Sequence, residues 1–334
     1  MQMTYLQALG RAIGEALDEN PRVVVMGSRF GGHFAVQEDE AFGPALAKHA
    51  ARVYMSVPIA EFGLAGAAVG VALAGGRPLL SFNIASFMLH GLPPIVNEAP
   101  NVRYTTGGRV NAPLTCYALG GIRGGGSSQH SHRLQSMLGN IPGLQILTPA
   151  TAGDAYGLMK WCLLESQDPT VFLAHSDLLL SSEDVDLSAA PLPVGVARIC
   201  RPGRDVSVIA HSVTVPRSIK AAEVLQRDHG ISAEVIDLRT LAPFDRGTLL
   251  ASVRKTGYAV IADECHKSFG VNAEVAAVLA EEAFAALKAP VRRVATADVP
   301  IPYDKGLERE ISVTVEKIVE GVLATLGRPV GGGA

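Results

Sequence analysis

Apolar residues return along this chain in two alternating rhythms. Short unbroken apolar runs bounded by glycine, proline and polar residues read as buried strands. Longer stretches with apolar positions every three or four residues read as helices. Strands are predicted at 23–26, 79–82, 114–119, 144–147 and 171–173, with helices at 4–17, 61–74 and 152–164. The stretch 181–193, SSEDVDLSAAPLP, is polar, then proline-bearing, and has no period, so it reads as an interdomain linker. Beyond it the alternation resumes: strands at 206–210, 233–237, 259–262 and 291–294, helices at 215–228, 272–287 and 311–326, and a frayed tail from 327. Strands alternating with helices predict an α/β chain of two doubly wound domains, bounded at 1–185 and 194–330.

Composition narrows the classes. At 334 residues, two domains are expected. With 48% hydrophobic and 18% charged residues, disorder is excluded, and some of the surface is expected to face another protein. A net charge of −3 with no basic patch argues against nucleic acid. The four cysteines, Cys116, Cys162, Cys200 and Cys265, are far apart and form no C-x-x-C pair, which disfavours zinc or a disulfide framework and suits the cytoplasm. The most apolar stretch, residues 62–76, is too short to span a bilayer, and the start lacks a signal-peptide core, so no membrane association is expected.

Two places carry candidate chemistry. Glu61 opens a helix of small residues in VPIAEFGLAG; it reads either as a first-turn acid facing the helix dipole or as a carboxylate at the rim of a pocket. In GGIRGGGSSQHSHRL, five glycines in seven positions precede His130 and His132. That loop is neither a G-x-G-x-x-G turn nor a P-loop, and its histidines, two apart, do not share a helix face. It reads either as a solvated surface loop or as a loop placing His130 for proton transfer. His175 and His211 follow strands, where parallel sheets place ligands.

These residues, with PRVVVMG, VPIAEFGLAGAAVGVALAGGRP, QHSH, IPGLQILTP, AEVIDLRTLAPFD and KTGYAVIADE, give the chain its resemblance. It resembles the β subunits of thiamine-diphosphate-dependent 2-oxoacid dehydrogenases (pyruvate, branched-chain and acetoin types) in the wider transketolase-like group. The resemblance implies a pyrimidine-binding domain followed by a transketolase C-terminal-like domain. It implies a β subunit that decarboxylates a 2-oxoacid with an α subunit in an α2β2 heterotetramer and passes the acyl unit to a lipoyl group on an acyltransferase. The α subunit would hold the diphosphate and Mg2+, consistent with the lack of a G-D-G…N motif here. The alternatives are an acyloin-forming carboligase of the same architecture and a non-catalytic assembly subunit; a nicotinamide oxidoreductase is disfavoured by the missing G-x-G-x-x-G.

By resemblance Glu61 is the acid that activates the aminopyrimidine, and His130 is the active-site loop histidine. Leu64, Phe82 and Phe87 fall in stretches that line the pyrimidine pocket, although core packing explains each equally well. Asp154 falls where the family often holds a monovalent cation such as K+. The chain also departs from the family pattern. Ser28 and Arg29 replace an acidic pair after the first strand, Ser81 replaces an acid, and Pro93-Pro94 replaces a polar pair. Arg29 thus reads as a grip for an anionic substrate, or as the ion-pair partner of a nearby acid such as Glu38.

Overall fold

Thr4 and Gln7 start the first helix. The Thr4 hydroxyl accepts from the Gln7 N–H (3.1 Å) while the Gln7 side chain accepts from the Thr4 N–H (2.8 Å), a reciprocal cap that opens α1 (Tyr5–Glu19). Leu6, Leu9, Ile13 and Leu17 repeat at helical spacing and are buried. The structure is a computed structural model that describes residues 1–31, 35–55, 57–188 and 193–329. It divides into two compact units, Met1–Arg123 with Gln129–Val194, and Gly124–Ser128 with Gly195–Ala334.

In the first unit, β1 (Gln2–Thr4) pairs antiparallel with β8 (Ser182–Asp184). Six strands, β2 (Val23–Gly27), β3 (Val53–Tyr54), β4 (Arg77–Ile84), β5 (Thr115–Gly120), β6 (Gln145–Leu147) and β7 (Thr170–His175), run parallel in the order β6-β7-β5-β4-β2-β3. The chain leaves β2 towards one side for β3, then crosses back to lay β4 on the other. Between β2 and β4 the winding therefore reverses, as doubly wound sheets require. Helix α2 (Ala35–Lys48), which the periodicity did not reveal, packs with α1; Gly43 and Pro44 inside it and the run Glu38–Asp39–Glu40 blur its apolar face. Helix α3 (Glu61–Leu73) packs on β4. At the base of β4 the buried Arg77 guanidinium donates to the carbonyls of Leu163, Cys162 (3.2 Å) and Ser166 (2.6 Å), closing the end of helix Ala152–Leu164.

The second unit has β9 (Arg198–Arg201), β10 (Val206–Ala210), β11 (Ala233–Asp237), β12 (Thr240–Ala242), β13 (Ala259–His266) and β14 (Arg292–Thr296). Five of them form a sheet in the order β14-β13-β10-β11-β9, parallel except for β9. Ile209, Ile236, Leu249, Val253, Ile261 and Leu279 fill its core.

Three expectations shift. The stretch read as linker contains β8, because its partner β1 lies at the other end of the unit's sequence; residues 189–192 fall outside the described residues. The helix expected at 311–326 is two helices, Lys305–Ile311 and Val315–Thr325, because Ser312 is extended and the Thr314 hydroxyl caps the second. The helix expected to 287 ends at Glu282 and passes into a 3-10 turn, Phe284–Ala286. Of the tail read as frayed, residues 330–334 lie outside the described residues.

Candidate active site

The candidate side chains of the first unit follow the carboxyl ends of successive parallel strands. Arg29 follows β2, Glu61 opens the helix after β3, Phe82 and Phe87 lie in and just after β4, His130 follows β5, and Asp154 follows β6. Open parallel sheets bind ligands at that end, at the point where the winding reverses.

Glu61 is the first residue of α3. Ala60, which precedes it, provides no side-chain cap, so the Glu61 carboxylate sits beside uncapped N–H groups at the positive end of the helix. Glu61 is half-buried. The chain crosses α3 at Gly91, where a methyl group would stand 3.0 Å from the Phe82 ring, 3.1 Å from the Glu61 carbonyl oxygen and 3.2 Å from Ala65. Gly91 therefore lets the Phe82 ring and the first turn of α3 close together. Phe82 is buried and Leu64, one turn on, is half-buried. Pro94 begins a π-helical turn, Pro94–Glu98, that packs on α3.

His130 ends the 3-10 turn Ser128–His130 and is exposed. Its ring stands edge-on to Phe87, with centroids 5.6 Å apart and planes at 85°. The structure thus brings together two predicted site residues that lie 43 positions apart in the sequence. His132 is also exposed. His175 is buried, and its Nδ1 accepts the Asp177 N–H (3.1 Å), which makes it the cap of the turn that follows β7.

Arg29 is ion-paired to Asp39 (3.3 Å) and Glu38 (3.8 Å) and is nearly half exposed. Its backbone carbonyl accepts from the Ser81 hydroxyl (2.8 Å), so Ser81 holds the loop after β2. Glu38 is buried and accepts the N–H groups of Phe30 and Gly31, both at 2.9 Å. The Tyr117 hydroxyl donates to the Phe30 carbonyl (2.9 Å); burial, and then the Glu38 charge, push its pKa well above the usual phenol value. Nothing in the sequence marks Tyr117. It looks like any residue of an apolar strand, and only the loop carbonyl packed on it reveals the hydrogen bond.

Asp154 is buried in the first turn of helix Ala152–Leu164, its N–H donating to Thr151 Oγ1 (3.2 Å). The positive end of that helix already offsets its charge.

In the second unit, His211 Nε2 lies 3.0 Å from Asp263 Oδ1. The same oxygen accepts the Cys265 N–H (2.8 Å), and Oδ2 accepts the N–H (2.9 Å) and side-chain amide (2.8 Å) of Asn272. Burial alone would raise the Asp263 pKa; hydrogen bonds from His211, Cys265 and Asn272 outweigh it and hold the carboxyl well below the usual range. Among the described residues, His211, Asp263 and Cys265 are the one cluster spaced for a metal, but four hydrogen bonds already saturate the carboxylate. The cluster reads as a structural knot.

A doubly wound unit with an acid at the start of a glycine-rich helix, followed by a second open α/β unit, defines the transketolase-like class. Residues 1–180 match the family "Transketolase, pyrimidine binding domain" and residues 195–318 match "Transketolase, C-terminal domain". A solved "Split gene transketolase, inactive beta4 tetramer" superposes with a TM-score of 0.77 at 25% identity, covering 97% of this chain and 98% of its own. "Pyruvate dehydrogenase E1 component subunit beta-1, mitochondrial" from Arabidopsis thaliana is 39% identical, over 95% of this chain and 88% of its own length. "Pyruvate dehydrogenase E1 component subunit beta" from Rickettsia bellii is 36% identical, over 92% of this chain and 94% of its own. The chain belongs to the family of pyruvate dehydrogenase E1 β subunits, the β subunits of thiamine-diphosphate-dependent 2-oxoacid dehydrogenases. Among the described residues, no helix is long and apolar enough to cross a membrane.

Proposed function

We propose that this chain is the cofactor-activating half of the active site in an α2β2 heterotetramer, with Glu61 as the activating acid. The observation that carries the proposal is the placement of Glu61: half-buried, uncapped, at the start of a helix closed against the Phe82 ring through Gly91. A pocket wall of Phe82, Leu64 and Phe87 with one carboxyl group at its edge fits a flat aminopyrimidine, apolar on its faces and polar at its ring nitrogens. When bound, thiamine diphosphate supplies the electron sink that lets a 2-oxoacid lose carbon dioxide.

The chain's own residues then have separate tasks. Glu61 holds a proton between its carboxyl and a pyrimidine nitrogen. Phe82 and Leu64 exclude water from that hydrogen bond. His130, on a glycine-rich turn and steadied edge-on by Phe87, moves a proton on the side of the acyl acceptor, a lipoyl group on a partner acyltransferase. Arg29 orients an anionic group on the substrate or acceptor. Mg2+ and the diphosphate belong to the α subunit; the position of Asp154 gives no independent support for K+, and no step uses it. All four cysteines are free and three are buried, which supports a reducing, cytoplasmic setting.

The second reading is carboligation to an acyloin with the same cofactor activation. Titration calorimetry with thiamine diphosphate and Mg2+ tests the assembly. The chain alone is expected to bind weakly, and the chain with its α subunit tightly; tight Mg2+-dependent binding by the chain alone contradicts it.

A further inference from the structure

Asn83 stands between Phe82 and Ile84 at the carboxyl end of β4, in the first unit, and no step above uses it. Its backbone is left-handed, with φ +63°, a conformation that strains any residue but glycine. The ladder between β4 and β5 slips at the same place. Ser81 pairs with Tyr117 but Ile84 with Leu119, so one extra residue bulges from β4. Asn83 is half-buried. Its Oδ1 is enclosed with no hydrogen-bond partner, and its Nδ2 makes no hydrogen bond, among the described residues. The bulge is fastened from behind: the Ser81 hydroxyl accepts the Asn83 N–H (3.3 Å) and donates to the Arg29 carbonyl (2.8 Å) in the loop after β2. The winding of the sheet reverses between β2 and β4, so Asn83 stands at the lip of the crevice where such sheets bind ligands.

We propose that Asn83 is a substrate-binding residue, its side-chain amide donating a hydrogen bond to an oxygen of the 2-oxoacid. A strained backbone and an enclosed, unpaired oxygen each cost stability, and costs of this kind concentrate where function sets the geometry. Asparagine tolerates the left-handed region better than most residues, yet glycine would take the same turn without strain. What asparagine adds over glycine here is an amide with no partner in the fold. That amide lies on the stretch from Phe82, which closes on the Glu61 turn, to Phe87, which steadies His130. A 2-oxoacid reacts between those cofactor and acceptor sides, and its carboxylate and keto oxygens need donors. The alternative is that Asn83 only eases the bulge. The inference rests on the reading of Phe82 and Leu64 as the wall of the cofactor pocket.

The test uses the enzyme assembled with its α subunit, pyruvate as the probe, and the variants Asn83→Gly and Asn83→Asp. Glycine relieves the strain and removes the enclosed oxygen, so the melting temperature should equal or exceed that of wild type. Thiamine-diphosphate affinity, read by calorimetry, should not change. KM for pyruvate should rise about 10- to 100-fold, the scale of one hydrogen bond to a charged group, with kcat nearly unchanged. Asn83→Asp keeps the shape and the tolerance of the turn, but it offers no donor and sets a negative charge against an anion. Its KM should rise at least as far. An unchanged KM in Asn83→Gly overturns the inference and leaves Asn83 as a turn residue. A loss carried by kcat instead, as misplacement of the wall would give, also overturns it. A marked fall in melting temperature on Asn83→Gly removes its premise that Asn83 burdens the fold. Leu64→Ala separates this inference from the reading beneath it. If Leu64→Ala leaves thiamine-diphosphate affinity unchanged, the pocket reading fails and the inference falls with it. If Leu64→Ala weakens the cofactor while Asn83→Gly leaves KM alone, only the inference fails.

Discussion

The rings of Phe87 and His130 meet edge to face, 5.6 Å between centroids. Phe87 rides on the short helix after β4 and His130 on the turn after β5, so two neighbouring strands of one parallel sheet fix the pair. Such contacts contribute about 0.5–1.5 kcal/mol, enough to favour one orientation of an exposed imidazole. His130→Ala is expected to slow acyl transfer by ~10²–10⁴-fold and to spare decarboxylation. Phe87→Ala should lower the same half-reaction by about tenfold or less, the scale of the lost ring contact. Stopped-flow measurement of each half-reaction checks both; an equal loss in the two half-reactions would contradict the acceptor-side assignment.

Gly91 offers a second handle on the same region. A methyl group there meets Phe82, the Glu61 carbonyl and Ala65 at 3.0–3.2 Å, so one of the three must move. Gly91→Ala should cost about 1–3 kcal/mol in thermal unfolding, as overpacking does. Displacing the start of α3 should also weaken thiamine-diphosphate binding to the assembled enzyme, as read by calorimetry. Unchanged affinity would mean that α3 does not form the pocket wall.

The sequence made some of this visible and hid the rest for identifiable reasons. Glu61 stood out because a charged residue opens a run of small apolar ones, and His130 because glycines precede it. Strands β2, β4, β5 and β7 showed because strands buried on both faces read as continuous apolar runs. Helix α2 did not, since Pro44 and three consecutive acids break its stripe. The β1–β8 pair joins residues about 180 positions apart, and no local pattern encodes such a contact. Only the β3–α3–β4 crossover and the chain's return at Gly91 bring the Phe82 ring to the Glu61 turn.

Arg29 is held at the end of β2 by Asp39 and Glu38 with nearly half its side chain open to solvent. Arg29→Glu in the assembled enzyme is expected to reduce kcat/KM for acidic co-substrates by about tenfold or more relative to neutral ones, the scale of one lost charge-assisted contact. An unchanged ratio would leave Arg29 as the anchor of α2 alone.

The buried knot in the second unit makes a prediction about pH. The folded pKa of Asp263 lies below its unfolded value, so its contribution to stability is fully present above the ordinary carboxylate value of ~3.9 and is lost as pH falls from there towards the folded value. His211→Ala removes one hydrogen bond to that charge and should cost ~1.5–3 kcal/mol near neutral pH. The gap between wild type and variant should narrow as pH falls below ~4. Urea unfolding across pH reads this directly; a gap that widened in acid would contradict the assignment.

The central claim is that Glu61 activates the cofactor, and the most direct measurement is exchange of the thiazolium proton of bound thiamine diphosphate with deuterium in the assembled enzyme. Glu61→Gln should leave the fold and melting temperature close to wild type while slowing that exchange by at least about 100-fold, the scale of a lost proton-transfer partner. An exchange rate equal to wild type would contradict the account and return Glu61 to the role of a first-turn acid on its helix dipole.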